Sequence, residues 1–346
     1  MSEIALYRKY RPKTFKEVVG QGHVVTALQG ALREGSSAHA YLFCGSRGTG
    51  KTSVARILAH ELGAGDSDIH EIDAATYTGV DNIRALREEA ATMPFESKRK
   101  VYIVDEVHML SKGAFNAFLK LLEEPPSHVA FILATTELEK VPDTIQSRCQ
   151  VFTFKKPIQK DIVDLIIKIA KAEGFTLEKS SAELIALLAD GSFRDSQSIL
   201  QKILSSSKDK KVSIEEVVEV TGAPRMEIVH TIMAALAKGQ GDQALTAVRT
   251  AVEQNADMAV LLMILIDRVR MVLMARYAPK AGTTMIADLT DVEQKMLTEL
   301  AHDAQSKINS ETLRKLLIAS TETARSPVAE LPLELAIMEL VAPAVS

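Results

Sequence analysis

With 346 residues, 47% apolar and 25% charged, the chain is long enough for two or three domains and apolar enough to bury a core, which excludes a disordered or low-complexity protein. A net charge of -4 gives no global nucleic-acid signature, so any such contact rests on local basic clusters. Two cysteines, Cys44 and Cys149, exclude a disulfide framework, and the longest apolar run, 258–266, falls short of the roughly 20 residues that span a bilayer, so the expectation is a cytoplasmic protein without a membrane partner.

In chain order, short apolar runs at 40–44, 69–73, 101–105, 129–135 and 151–154 alternate with helix-patterned stretches. That rhythm predicts βαβ units around a buried parallel sheet, an α/β region extending to residue 156. Ser111 is placed to cap a helix that turns Phe115, Phe118, Leu119 and Leu122 inward, and Pro125-Pro126 stops it. After Pro157 the strand-like runs disappear. Ile162, Leu165, Ile166 and Ile169 recur at helical spacing until Gly174. A polar interruption at 205–211 and the break at Gly222-Ala223-Pro224 suggest three regions, 1–156, 157–223 and 224–346. The last reads as amphipathic helices separated by turns such as 278–283, with Leu261, Leu262, Ile264 and Leu265 on a helix apolar on more than one side.

The chemistry concentrates where the first strand ends. Gly45-Ser46-Arg47-Gly48-Thr49-Gly50-Lys51-Thr52 fits GxxxxGKT between a buried strand and a helix, the context this motif requires. Glycines let backbone N–H groups wrap phosphates, Lys51 sets a cation on the β- and γ-phosphates, and Thr52 offers a hydroxyl to Mg²⁺. The third strand ends in Asp105-Glu106. At that end of a parallel sheet, Asp105 suits the Mg²⁺ shell and Glu106 suits polarisation of an attacking water, which points to hydrolysis of ATP.

Asp105-Glu106-Val107-His108-Met109-Leu110-Ser111, Leu121-Leu122-Glu123-Glu124-Pro125-Pro126 and Ser147-Arg148-Cys149 together resemble the gamma/tau family of bacterial clamp loaders. Tyr7-Arg8-Lys9-Tyr10-Arg11-Pro12, Val18-Val19-Gly20-Gln21 and Gly191-Ser192-Phe193-Arg194-Asp195 continue the likeness, which covers residues 7 to 200. The resemblance implies an AAA+ nucleotide domain over 1–156, a helical lid over 157–223 and a helical collar over 224–346. It implies that Thr136 is a phosphate sensor, that Arg148 is an arginine finger acting in trans, and that Arg194 is a second sensor. Tyr10, Arg11 and Val19 would line the adenine end. By residue type alone, Arg148 is equally a surface arginine, and the lesser alternative for Arg194 is an i,i+3 or i,i+4 pair on a solvated helix face.

The partners so implied are delta and delta-prime subunits, further copies of the chain, a sliding clamp, and primed DNA held by its phosphate backbone. Arg84 and Lys112, near predicted helix starts, are candidates for phosphate contact, and equally solvated surface charges. One departure stands out. The family's four-cysteine zinc module is missing between the P-loop helix and the next strand, so the expectation is no zinc, with His60 and His70 solvated and without a carboxylate partner. Rival readings are another P-loop machine, such as a nucleotide kinase or a branch-migration helicase, and a scaffold that binds ATP without hydrolysing it. Glu106 argues against a kinase, the absence of a basic recognition pattern after residue 224 against a helicase, and the intact Lys51, Thr52, Asp105, Glu106 and Arg148 against a scaffold.

Overall fold

The computed structural model describes residues 4–35, 37–207, 209–287 and 289–341. They form two compact units, Met1–Ile169 with Ala189–Gln201, and Ala170–Leu188 with Lys202–Ser346. Lys208, within the polar interruption at 205–211, lies outside the described residues.

In the first unit the apolar runs become β1 (Ala40–Cys44), β2 (Ile69–Asp73), β3 (Lys100–Asp105), β4 (Val129–Thr135) and β5 (Gln150–Thr153). All pair in parallel, in the order β2-β3-β4-β1-β5. The helices of this part are α1 (Leu6–Lys9), α2 (Gly22–Arg33), α3 (Lys51–Glu61), α4 (Val80–Ala90), α5 (Lys112–Glu123), α6 (Asp143–Gln146) and α7 (Gln159–Ala172).

Alternation along the central strands feeds two cores. Leu42, Tyr102, Val104, Phe131 and Leu133 pack with α4 and α5 on one face. Tyr41, Phe43, Val101, Ile103 and Ile132 pack with α2 and α3 on the other. Ser111 caps α5 as expected, its hydroxyl accepting the Ala114 N–H. Burial is not uniform, however. β2 and β5 are the edges of the sheet, each covered on one side only, and their residues are largely exposed or half-buried.

The order puts β1 between β4 and β5, with Cys44 level with Thr135 and Thr153. Gly45 N–H donates to Thr135 O, so the loops leaving β1, β3 and β4 open on one edge, where the chain direction across the sheet reverses. The loop before β3 is fastened by Asp68. Its buried carboxylate accepts the backbone N–H groups of Phe95, Glu96 and Ser97 and the Ser97 hydroxyl, at 2.6 to 3.1 Å. Burial alone raises a carboxyl, but these four donors outweigh it and hold Asp68 at about 2.

The chain continues as α8 (Lys179–Leu188), α9 (Phe193–Ser206), α10 (Ile214–Thr221), α11 (Met226–Lys238), α12 (Gly241–Glu253), α13 (Met258–Tyr277), α14 (Pro279–Ile286), α15 (Asp291–His302), α16 (Ser310–Thr323) and α17 (Leu331–Val341). Strand pairing does not end near residue 156 as the sequence suggests. Within the second unit β6 (Thr176–Leu177) pairs in parallel with β7 (Lys211–Val212), a pair too short to leave a period in the sequence. Nor is 278–283 a turn. Pro279 occupies the first position of α14, where its missing N–H costs nothing, and Gly282 lies buried against α13. A Cβ at 282 would collide with the Ala275 backbone and sit 2.7 Å from the Met274 carbonyl carbon, so glycine here serves close helix approach rather than chain reversal. Leu261, Leu262, Ile264 and Leu265 are fully buried in this unit's own core. Among the described residues no helix is long and apolar enough to cross a membrane.

Two outcomes follow. Asp68→Asn should destabilise the protein by about 2 kcal/mol at pH 7, the worth of a shift from 3.8 to about 2. Because the folded value is depressed, wild type holds that advantage above pH ~4 and loses it as pH falls towards 2, so urea curves of wild type and variant should converge over that window. Gly282→Ala gains about 1 kcal/mol of helix propensity but faces an overpacking cost of about 1–3 kcal/mol that no rotamer relieves. A lowered thermal midpoint is expected; a raised one would mean that α13 and α14 separate freely.

Candidate functional site

Each glycine of the loop after β1 answers a steric demand. Gly48, at φ +74, has no room for a side chain because a Cβ would run into Ser192. Gly50, at φ +100, caps α3, so Lys51, Thr52 and Ser53 begin the helix with N–H groups that have no partner within it. Lys51 is buried, its Nζ donating to Gly45 O at 2.7 Å and Ser46 O at 3.0 Å. Burial pulls its ammonium below the ordinary range, Glu106 and Asp105 oppose that, and Arg194 adds to it. Fully buried Gln21 braces the loop by donating to Thr49 O and Lys155 O while accepting the Lys155 N–H.

The acids converge on this helix start. Thr52 Oγ1 donates to Asp105 Oδ2 at 2.9 Å, an oxygen pair fit to hold a small hard cation. Asp105 Oδ1 accepts the Glu106 N–H, and Glu106 itself sits at φ +48, ψ +44, a left-handed backbone that non-glycine residues rarely adopt. Its Oε2 accepts the Thr136 hydroxyl at 3.0 Å.

The opposite wall is the start of α9. Ser192 caps it by accepting the Asp195 N–H, and Phe193 N–H donates to Gly48 O at 3.0 Å, which seats the helix on the loop. A cleft results, lined by residues 47–54, Asp105, Glu106, Arg194 and Gln197, and at its other end by Tyr7, Tyr10, Arg11, Val18 and Val19. Arg194 stands over the Tyr7 ring, 5.9 Å from its centroid. Beside this cleft lies another, where Arg8, Arg11, Arg47, Arg56 and Arg194 gather with Glu71 and Asp195. The Arg11 guanidinium is pushed below its ordinary range by burial, then by Arg56.

Lys51, Thr52, Asp105, Glu106, Arg194, Arg47, Gly48, Thr49, Gly50, Tyr10, Arg11 and Val19 thus share one cleft. Gly45 and Ser46 meet it through carbonyls that accept from Lys51, and Thr136 through Glu106. Arg148 does not line it. Its guanidinium, about one-third exposed, donates to Glu123 Oε1 at 2.6 Å and to Thr144 O at 2.8 Å. Arg84 is exposed and paired with Asp81, and Lys112 is exposed at the first position of α5.

His60 and His70 correct the sequence reading. Both have carboxylate neighbours, His60 in Asp66 at 3.4 Å and His70 in Glu89 at 3.2 Å, and His70 is half-buried in a stack on Tyr102 rather than solvated. Sequence reasoning gave no role to Tyr7, Gln197, Gln21 or His108. Gln197 carries no local signal, since only folding brings the second turn of α9 to the loop. Tyr7, Gln21 and His108 stand inside strings that carry the family likeness, so their positions were marked but their contacts were not.

A model of the family described as DNA polymerase III, delta subunit, matches residues 66–158. The tau subunit of DNA polymerase III from Bacillus subtilis is 42% identical over 300 residues, covering 81% of this chain and 53% of that protein. The Salmonella typhimurium tau subunit is 35% identical over 363 residues, covering 99% of this chain and 56% of its own length. Among solved structures, the Thermotoga maritima RuvB Holliday junction branch migration motor superposes with a TM-score of 0.52 at 20% identity, over 80% of this chain and 85% of that one, a likeness of fold alone. The chain therefore belongs to the DNA polymerase III gamma/tau family, on an AAA+ fold, and spans about half the length of the curated relatives it matches.

Proposed function

We propose that this chain is the ATP-hydrolysing motor subunit of a clamp loader, the DNA polymerase III assembly that sets a sliding clamp on primed DNA, and is not itself the polymerising subunit. The observation that carries the reading is the convergence of Lys51, the Thr52–Asp105 pair and Glu106 at the mouth of one parallel sheet. Lys51 and the N–H groups opening α3 bind the phosphates of ATP, and Tyr10, Arg11 and Val19 receive the adenine end. Thr52 and Asp105 hold Mg²⁺, which when bound supplies charge neutralisation on the phosphates. Glu106 polarises the attacking water, Thr136 fixes the Glu106 carboxylate and senses the γ-phosphate, and Arg194 reports the phosphate state to the start of α9.

Arg148 acts on a neighbouring copy. Its place outside this chain's own cleft, tied to Glu123, supports action in trans, because a guanidinium that serves another subunit need not approach its own phosphates. The lid over 157–223, the collar over 224–346, partnership with delta, delta-prime and the clamp, a cytoplasmic location, and DNA held through phosphates all belong to the same reading. Phosphate contact suits a loader that accepts any primed junction, since sequence readout would restrict it. A branch-migration motor has only the fold likeness in its favour, whereas the named relatives at 42% and 35% identity are replicative subunits.

An ATPase assay of the chain alone and with delta, delta-prime, clamp and primed DNA tests the proposal: stimulation by the full set supports it, and indifference to all of them rejects it. Glu106→Gln should keep ATP binding while turnover drops by at least ~100-fold, whereas Lys51→Ala should weaken binding itself. Arg148→Ala should lower turnover about 1000-fold with ATP affinity nearly unchanged. Mixing it with Lys51→Ala chains should recover activity above either variant alone, because the Lys51 variant still presents its arginine to a neighbour's intact site. Mixtures as inactive as their components would remove the role in trans.

A further inference from the structure

The 3₁₀ turn Val107–Met109 after β3 carries a histidine that the proposed mechanism leaves unused. The His108 side chain is only 6% exposed, yet both ring nitrogens meet polar groups, from the end of β4 at 135–137 and from Glu106 at the start of its own turn. Nδ1 lies 3.0 Å from Thr135 Oγ1 at the end of β4 and 3.5 Å from Glu106 Oε2, and Nε2 lies 3.3 Å from Glu137 Oε1. Glu137 in turn pairs with Lys140 at 2.7 Å.

Donor and acceptor chemistry orders these contacts. Thr135 Oγ1 accepts the Glu137 N–H at 3.0 Å and shares a second hydrogen bond with Nδ1, while Nε2 faces the acceptor oxygen of Glu137, so the ring is held from both nitrogens. The Glu106 Oε2 thus stands between two neighbours, 3.5 Å from His108 Nδ1 on one side and accepting the Thr136 hydroxyl at 3.0 Å on the other. Glu106 projects from a left-handed residue between β3 and the 3₁₀ turn, its N–H donating to Asp105 Oδ1 and its carbonyl accepting the Met109 N–H, and its carboxylate meets Thr136 and His108.

We propose that His108 is a positioning residue for hydrolysis: it closes one side of the Glu106 carboxylate, fixes it against Thr136, and ties it through Glu137 to the 137–140 turn. This rests on the reading of Glu106 as the water-polarising group. A buried histidine kept only for packing would need neither polar partners at both ring nitrogens nor two carboxylates.

The test uses three replacements in the assembly that hydrolyses ATP, with turnover and ATP affinity measured separately. Asn at 108 can place a polar atom where Nδ1 stands, Gln where Nε2 stands, and Leu neither. His108→Leu and His108→Gln should each lose about 10- to 100-fold in kcat with ATP affinity within about 2-fold of wild type, the scale of a misdirected catalytic group. His108→Asn should recover most of the turnover. In a Glu106→Gln background, His108→Leu should change nothing further, because the group it positions is gone.

Equal turnover by all three variants, or equal loss by Asn and Leu, would overturn the positioning role. Should the Leu variant fail to fold, the comparison of Asn with Gln still decides, with rescue by Gln instead of Asn counting against it. Wild-type turnover by Glu106→Gln would overturn the hydrolytic reading and this inference together. An inactive Glu106→Gln beside fully active His108 variants would overturn this inference alone.

Discussion

The close approach of Gly48 to Ser192 is the constraint on which the first unit's chemistry rests. With no side chain at 48, the start of α9 descends onto the loop until Phe193 N–H reaches Gly48 O. That single bond sets Arg194 and Gln197 over the same cleft as Lys51 and Thr52. Any Cβ at 48 would prise the two apart, and the cleft would keep its floor while losing its wall. The loop's fixed backbone, the brace from Gln21 and the cap by Ser192 all preserve this one contact.

Electrostatics inside the unit run against the chain's overall balance. A net charge of -4 conceals five arginines gathered along one side of the fold, with Glu71 and Asp195 as the carboxylates of that cleft. Arg11 is held below its ordinary range first by burial and then by its neighbour Arg56, so part of that lowering is mutual repulsion within the cluster. Whole-chain composition averages such local fields away.

What the sequence made legible was whatever repeats or sits together along the chain. The five sheet strands were readable because Leu42, Tyr102 and Phe131 alternate with neighbours that fill the other core. The loop from Gly45 to Thr52 and the Asp105-Glu106 pair were readable because each is continuous. Exposure of β2 and β5 was not, since edge position is a property of strand order and not of the strand. Pro279 and Gly282 read as a turn by residue type; their placement at a helix start and against Ala275 reversed that meaning. Tyr7, Gln197, and the Arg148–Glu123 pair depend on segments that meet only after folding.

The backbone of Glu106 has a consequence for how this position can vary. A left-handed conformation costs an ordinary residue about 1–2 kcal/mol, and glycine or asparagine much less. Selection for thermal endurance alone would drift towards those two residues, each of which discards the carboxylate. Backbone ease and retention of the carboxylate therefore pull residue 106 in opposite directions.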